Sequence, residues 1–253
     1  MSLPQSPAPP LPVSFGRVLA ALLAASVLTY PLGLAVGSRW LLPLLNTAPA
    51  YVAMVVLLRR GQRDQAVLAM LAWAACLAVT GTLCFRLWPV PVDGAVLHGP
   101  EYREEMFHWI RTGIGREGHV TGFLPQHVLH LAVFVVLSLA TASAVSILGG
   151  ALLMNYMDFY VASLGRAGVP AWATTFLGWQ PWALCRVAAF CILGVVLAEP
   201  LLARLSGRPY AGLASGRRWL LIAAGGILAD WVLKAALAPS WGLWLRPLLP
   251  AAR

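Results

Sequence analysis

The chain has 253 residues, 60% hydrophobic and 11% charged, with a formal net charge of +9. Soluble domains carry about 25% charged residues, so a soluble globular fold is excluded, and the ten-residue alternation of an outer-membrane barrel is absent. The basic excess sits at the ends of apolar runs rather than on an aromatic-interleaved face. That pattern fits membrane topology and anionic headgroups and argues against a nucleic-acid partner. The fold class is therefore all-α, a polytopic bundle of six or seven transmembrane helices.

Residues 1–15, rich in proline, read as a disordered tail, and residues 16–253 as one integral membrane domain. The first apolar run reads as a retained span rather than a removed signal peptide. Spans are predicted over 16–36, 41–58 and 65–87, followed by a polar loop over 88–126. Further spans follow at 127–148, 150–164, 181–205 and 218–236, with an interfacial tryptophan-rich segment at the end. Residues 127–164 as one helix would run about 57 Å, too long for one crossing, and the sequence ILGG at 147–150 offers a break. Arg59, Arg60 and Arg63, and later Arg204, Arg208, Arg217 and Arg218, form the two densest basic loops. Placing both in the cytoplasm needs an even number of crossings between them, which selects seven spans in a bacterial-type inner membrane with a cytoplasmic N-terminus. Cys76, Cys84, Cys185 and Cys191 all lie in apolar runs without a CxxC pair, and read as small buried hydrophobes.

The polar loop gathers four of the nine acidic residues and three of the five histidines between His98 and His119. Pro100 at the start, glutamates in the first half and Gly113 at the stop predict one helix. At about 100° per residue, Glu101, Glu104, Glu105 and His108 share an arc of about 100°. Tyr102, Met106, Trp109 and Ile110 take another side, so the helix is predicted to lie on the extracytoplasmic membrane surface, apolar face to lipid. A carboxylate and an imidazole at helical spacing can meet one divalent metal ion, so Glu101, Glu105 and His108, with His127, are candidate ligands. The same groups can activate water, which makes Glu104, Glu105, His108, His127 and His130 candidate catalytic residues. Equally, the stripe can be the solvated face of a surface helix.

Downstream, His127, His130, Ser138 and Thr141 form a polar stripe descending a span. Arg111 and Arg116 are candidate anion contacts, and Asn155 with Asp158 a candidate polar substrate or transport site. Asp158 needs a tertiary partner such as Arg186 or a raised pKa. Asp230 and Lys234, spaced i, i+4, are expected to pair with each other, and Glu199 to snorkel from a span end.

Glu104–Glu105, Arg111 and the F-x-x-x-H of Phe123–His127 resemble part of the CAAX-type intramembrane protease pattern, EExxxR followed by FxxxH. The resemblance implies water activation by glutamate and histidine. The arginine stands two residues beyond that pattern, and the family's third motif, HxxxN/D, does not follow. The stretch TGFLPQHVLHL is similar to the EFLPxSSxxHL of undecaprenyl-diphosphate phosphatases, without its preceding glutamates and its serines. The chain is assigned to neither.

The sequence thus points first to a membrane-embedded hydrolase or metal site acting on a lipid-linked or membrane-peptide substrate. The competing reading is a transporter or an accessory subunit of a membrane-protein complex, with the loop helix as docking surface or gate. A haem-bearing electron-transfer subunit is disfavoured, because facing spans do not each supply a histidine.

Overall fold

The fold was analysed in a computed structural model, which describes residues 14–88, 92–207, 209–210 and 212–250. The proline-rich stretch before Ser14 lies outside the described residues; Ser14 itself accepts from the Arg17 N–H, and the first helix begins at Phe15. Seven helices are long and apolar enough to cross a membrane, and no strand occurs among the described residues. They are α1 (Phe15–Val36), α2 (Leu41–Arg59), α3 (Arg63–Leu87), α5 (Val120–Thr141), α6 (Ala144–Arg166), α8 (Pro181–Leu205) and α9 (Arg217–Leu245). Two shorter helices, α4 (Gly99–Thr112) and α7 (Ala171–Gly178), pack at one end of the bundle.

Helices α1, α2, α3 and α6 build the centre, with α8 closing it and α9 riding on the outside of α8. The core is filled by Tyr30, Leu42, Met54, Leu57, Leu77, Phe85 and Phe159, each fully buried. Both densest basic loops lie at the same end. There the Arg63 guanidinium pairs with Glu199, with 2.6 Å from Nε to Oε2, and reaches the Ser215 hydroxyl at 2.8 Å. The indole of Trp219 donates to Asp64 at 2.6 Å. Glu199, expected to snorkel, is thus held by a pair that ties α8 to α3. We call this the basic end, and the end carrying α4 and α7 the loop end.

The α5–α6 hairpin turns earlier than ILGG suggests. Ala142 and Ser143 both adopt left-handed backbone, at φ 48° and 65°, which side chains other than glycine rarely take. Side-chain hydroxyls supply the compensation. Ser143 donates to the Gly194 carbonyl at 2.7 Å, Ser138 to Ser146 at 2.8 Å, and Thr141 accepts from the Val145 N–H at 3.2 Å. Gly149 and Gly150 instead stay within α6, where a Cβ would meet nothing within 4 Å. At its other end α5 starts at Val120, about two turns before His127, and continues through Pro125. The C-terminal tryptophan segment likewise continues α9 through Pro239 rather than lying separately.

Candidate functional site

The loop helix α4 is bounded as its sequence suggests. Gly99 is required at its start, because a Cβ there would come within 2.9 Å of the Val96 side chain, and Gly113 stops it at φ 76°. Its apolar face, however, meets protein rather than lipid. Met106, Trp109 and Ile110 are fully buried in a cluster with Tyr160, Leu164, Trp182 and Leu245, and the Ile110 carbonyl accepts from Arg246 Nε at 3.0 Å. The reason is shape: α6, α7 and α9 leave an aromatic trough at the loop end, and Gly242 lets the Trp109 ring approach to within about 3.4 Å of where a Cβ would stand.

Docking that face turns the acidic stripe outwards. Glu101, Glu104, Glu105 and His108 are all exposed, and Glu104 pairs with Arg103 at 3.3 Å. Arg111 and Arg116 are exposed as well, Arg111 reaching the Pro250 carbonyl at 3.4 Å. Among the described residues, no group of three His, Cys, Asp or Glu side chains converges as metal ligands. Glu101, Glu105 and His108 therefore are not brought to His127.

His127 and His130 are instead drawn into a cavity between α5, α6 and α8, floored by α2 and α3. Its volume is about 120 Å³, where a single water needs only about 10–15 Å³. Its loop-end mouth is polar, lined by Tyr102, Glu117, Gln126, His127, His130 and Arg186. Its far end is apolar, lined by Met54, Met70, Trp73, Ile147, Met154 and Phe190. From Met157 to Ser146, both lining it on α6, the cavity descends eleven residues, about 16 Å at 1.5 Å per residue. That is about the depth of one leaflet of a hydrocarbon core about 30 Å thick. Tyr102, its ring tilted 48° against Tyr156 at 4.6 Å, keeps its phenol proton, because burial pushes its pKa well above the ordinary value.

The mouth is organised around His127. Its Nδ1 lies 3.0 Å from Asp230 Oδ2, while Nε2 lies 2.6 Å from Arg186 and 3.3 Å from the Lys234 ammonium. A guanidinium can only donate, so Nε2 is the accepting nitrogen and the proton sits on Nδ1, directed at Asp230. The imidazole is thereby neutral and fixed in one tautomer. Lys234 also pairs with Glu117 at 2.7 Å and lies 4.8 Å over the Phe123 ring. Two carboxylates thus face two cations around a neutral ring. Arg186 spends one amino group on His127 and stands 4.0 Å from Asp230. Among the described residues its other N–H groups make no hydrogen bond.

This constellation corrects the i, i+4 pairing of Asp230 with Lys234. Each reaches a different partner, Asp230 on α5 and Lys234 on the α4–α5 connection, because α9 presents both towards α5. Sequence reasoning missed Glu117 and undervalued Arg186, Asp230 and Lys234. The signal available was the cost of charge in apolar runs, about 2.5–3.5 kcal/mol per group at a span centre; spacing alone could not say which helices would meet.

Asn155 and Asp158 belong elsewhere. Tyr30 OH lies 3.0 Å from Asp158 Oδ2 and 3.1 Å from Asn155 Oδ1, Thr82 donates to Asp158 at 3.3 Å, and Asn46 donates to Asn155 at 2.9 Å. The anticipated Arg186 partner is engaged by His127 instead. Neither Asn155 nor Asp158 lines the cavity, and the network holds α1, α2, α3 and α6 together at the bundle centre.

No known protein family matches the chain, and neither the curated proteins nor the solved structures contain one similar to it.

Proposed function

We propose that this is a multi-pass inner-membrane protein that binds a single-chain, anionic-headgroup amphiphile in the cavity between α5, α6 and α8. The basic end then faces the cytoplasm together with the start of α1, and the cavity mouth opens on the extracytoplasmic side. The observation that carries the reading is the continuity of one cavity from a charged mouth to an apolar far end. The uncommitted N–H groups of Arg186 supply a planar donor set for a phosphate or carboxylate oxygen. A lipid-linked substrate, the first reading of the sequence, fits this cavity, while the exposed Glu104–Glu105 stripe plays no part in it.

Titration of the purified protein with a brominated single-chain anionic lipid tests this, because Trp73 and Trp179 line the cavity and contact with bromine quenches tryptophan. Arg186→Gln is expected to weaken binding about 10-fold to 100-fold, the loss of about 1.5–3 kcal/mol for a hydrogen bond to a charged group. Gly150→Phe, at a lining position with free space beside its Cα, is expected to fill the slot and abolish binding. Saturable quenching that neither substitution alters would sink the proposal.

The exposed acidic stripe favours a second reading, in which α4 is also a docking surface for another membrane subunit. Glu104→Lys with Glu105→Lys would then release a co-purifying subunit; an unchanged complex would count against it.

A further inference from the structure

We propose that His127, positioned by Asp230, is the general base for hydrolysis of an acyl ester whose chain occupies the slot and whose headgroup meets Arg186. The inference rests on the amphiphile reading above and adds a reaction to it. An ester joining an acyl chain to a headgroup lies at the boundary between apolar slot and polar mouth, the level at which His127, His130 and Arg186 line the cavity.

Three features of the mouth serve the chemistry. Asp230, almost fully buried, accepts from Nδ1 at 3.0 Å, so the imidazole presents its lone pair on Nε2 and the charge it acquires on protonation is compensated. Two cations flank Nε2, Arg186 at 2.6 Å and Lys234 at 3.3 Å, where an oxyanion would develop beside the base. The second oxygen of Asp230, Oδ1, is buried without a hydrogen bond and 4.0 Å from Arg186. That leaves it available to the guanidinium as it turns.

In this structure the base is masked, because the Arg186 N–H occupies, and the Lys234 ammonium approaches, the lone pair on which it depends. A headgroup anion that draws Arg186 towards it, with Lys234 turning its N–H to Glu117, frees Nε2 for a water, so the base is exposed only when substrate is present. Nε2 then takes one proton from the water as its oxygen bonds to the ester carbonyl carbon. The tetrahedral oxyanion is held by the Lys234 ammonium, which stays beside the base on Glu117. When it collapses, the bond from the carbonyl carbon to the headgroup oxygen breaks, and the electron pair leaves with that oxygen. The imidazolium returns its proton to it. The products are a fatty acid, which ionises, and the headgroup alcohol; water is the only co-reactant.

The test uses the full chain in detergent micelles with an acyl lysophosphatidylglycerol and its ether analogue, which has no ester to cleave. The ether analogue reports binding, and fatty acid released in oxygen-18 water reports turnover. The expected results are saturable binding of the ether analogue and release of fatty acid carrying one labelled oxygen. His127→Gln should lower turnover by about 10²–10⁴-fold, the usual contribution of a positioned base, with ether-analogue binding changed by less than about threefold. A glutamine amide can still donate towards Asp230 and accept from Arg186, which preserves the fold. Asp230→Asn should lower kcat with little change in KM and displace the pH profile, which loss of packing alone would not do. Binding of the ether analogue without fatty-acid release by the unsubstituted protein, or turnover unaffected by His127→Gln, overturns the catalytic proposal and leaves the binding site standing. No binding of the ether analogue overturns both.

Discussion

Lys234 is buried to 1% exposure on α9, and its ammonium meets Glu117, whose side chain retains 17% exposure on the connection before α5. Glu117→Leu strands the ammonium inside the bundle with only the His127 lone pair, at 3.3 Å, and the Phe123 face, at 4.8 Å, to receive it. Breaking a buried pair from one side costs about 3–5 kcal/mol. The cation–π contact returns up to about 2 kcal/mol of what isolation would otherwise cost, and it is present before and after the substitution. The predicted destabilisation is therefore about 3–5 kcal/mol. Lys234→Met is predicted to cost less, about 1–3 kcal/mol, because Glu117 sits on a short surface connection and can turn to water. The double substitution should recover to within about 2 kcal/mol of the starting protein, since two groups with no unmet charge replace the pair. Equilibrium unfolding of the four proteins in mixed detergent, read as a double-mutant cycle, measures all three quantities. Strictly additive losses, or a Glu117→Leu cost below about 1 kcal/mol, would show that the pair is not the buried contact argued here.

Further substitutions report on separate parts of the fold. Gly81→Ala would push a methyl into Asp158 and the Tyr30 hydroxyl, disrupting the central polar network, and should cost about 1–3 kcal/mol in the same assay through overpacking. Trp109→Ala should cost about 3–5 kcal/mol and expose the α4 connection to limited proteolysis, since that ring anchors α4 against Gly242. Glu104→Gln with Glu105→Gln should stay within about 0.5 kcal/mol in stability and leave amphiphile quenching unchanged, because both carboxylates are exposed and neither lines the cavity. A tenfold loss of affinity there would return the stripe to the site.

Span number and class were legible because they follow from composition, apolar run length and the parity of the basic loops, all local or countable quantities. The loop helix was legible too, from Pro100, its early glutamates and Gly113. Its orientation was not, because an apolar stripe of Met106, Trp109 and Ile110 suits lipid and an aromatic trough equally well. The hairpin turn was displaced for a related reason. Glycine is the usual marker of left-handed backbone, yet here hydroxyl hydrogen bonds from Ser138, Thr141 and Ser143 hold Ala142 and Ser143 there, while Gly150 stays helical beside the cavity. For the mouth, His127 and His130 stood out as polar residues entering a span. The groups around His127 came from α8, α9 and the α4–α5 connection, and i, i+4 spacing made Asp230 and Lys234 look self-sufficient. Which helices neighbour one another is a property of the packed bundle, so the five-residue cluster emerges only with the fold.

The central claim is that an acyl chain enters the slot with its headgroup at Arg186, and photo-crosslinking tests it most directly. A single-chain anionic lipid carrying a diazirine at its chain terminus is irradiated with the protein, and the labelled peptides are mapped by mass spectrometry. The account predicts labelling of the deep lining, Met54, Met70, Ile147 or Phe190, competed by unlabelled lipid and lost in Gly150→Phe. Labelling confined to lipid-exposed positions such as Val27, Leu28 and Leu228, with no competable signal from the slot, would contradict it.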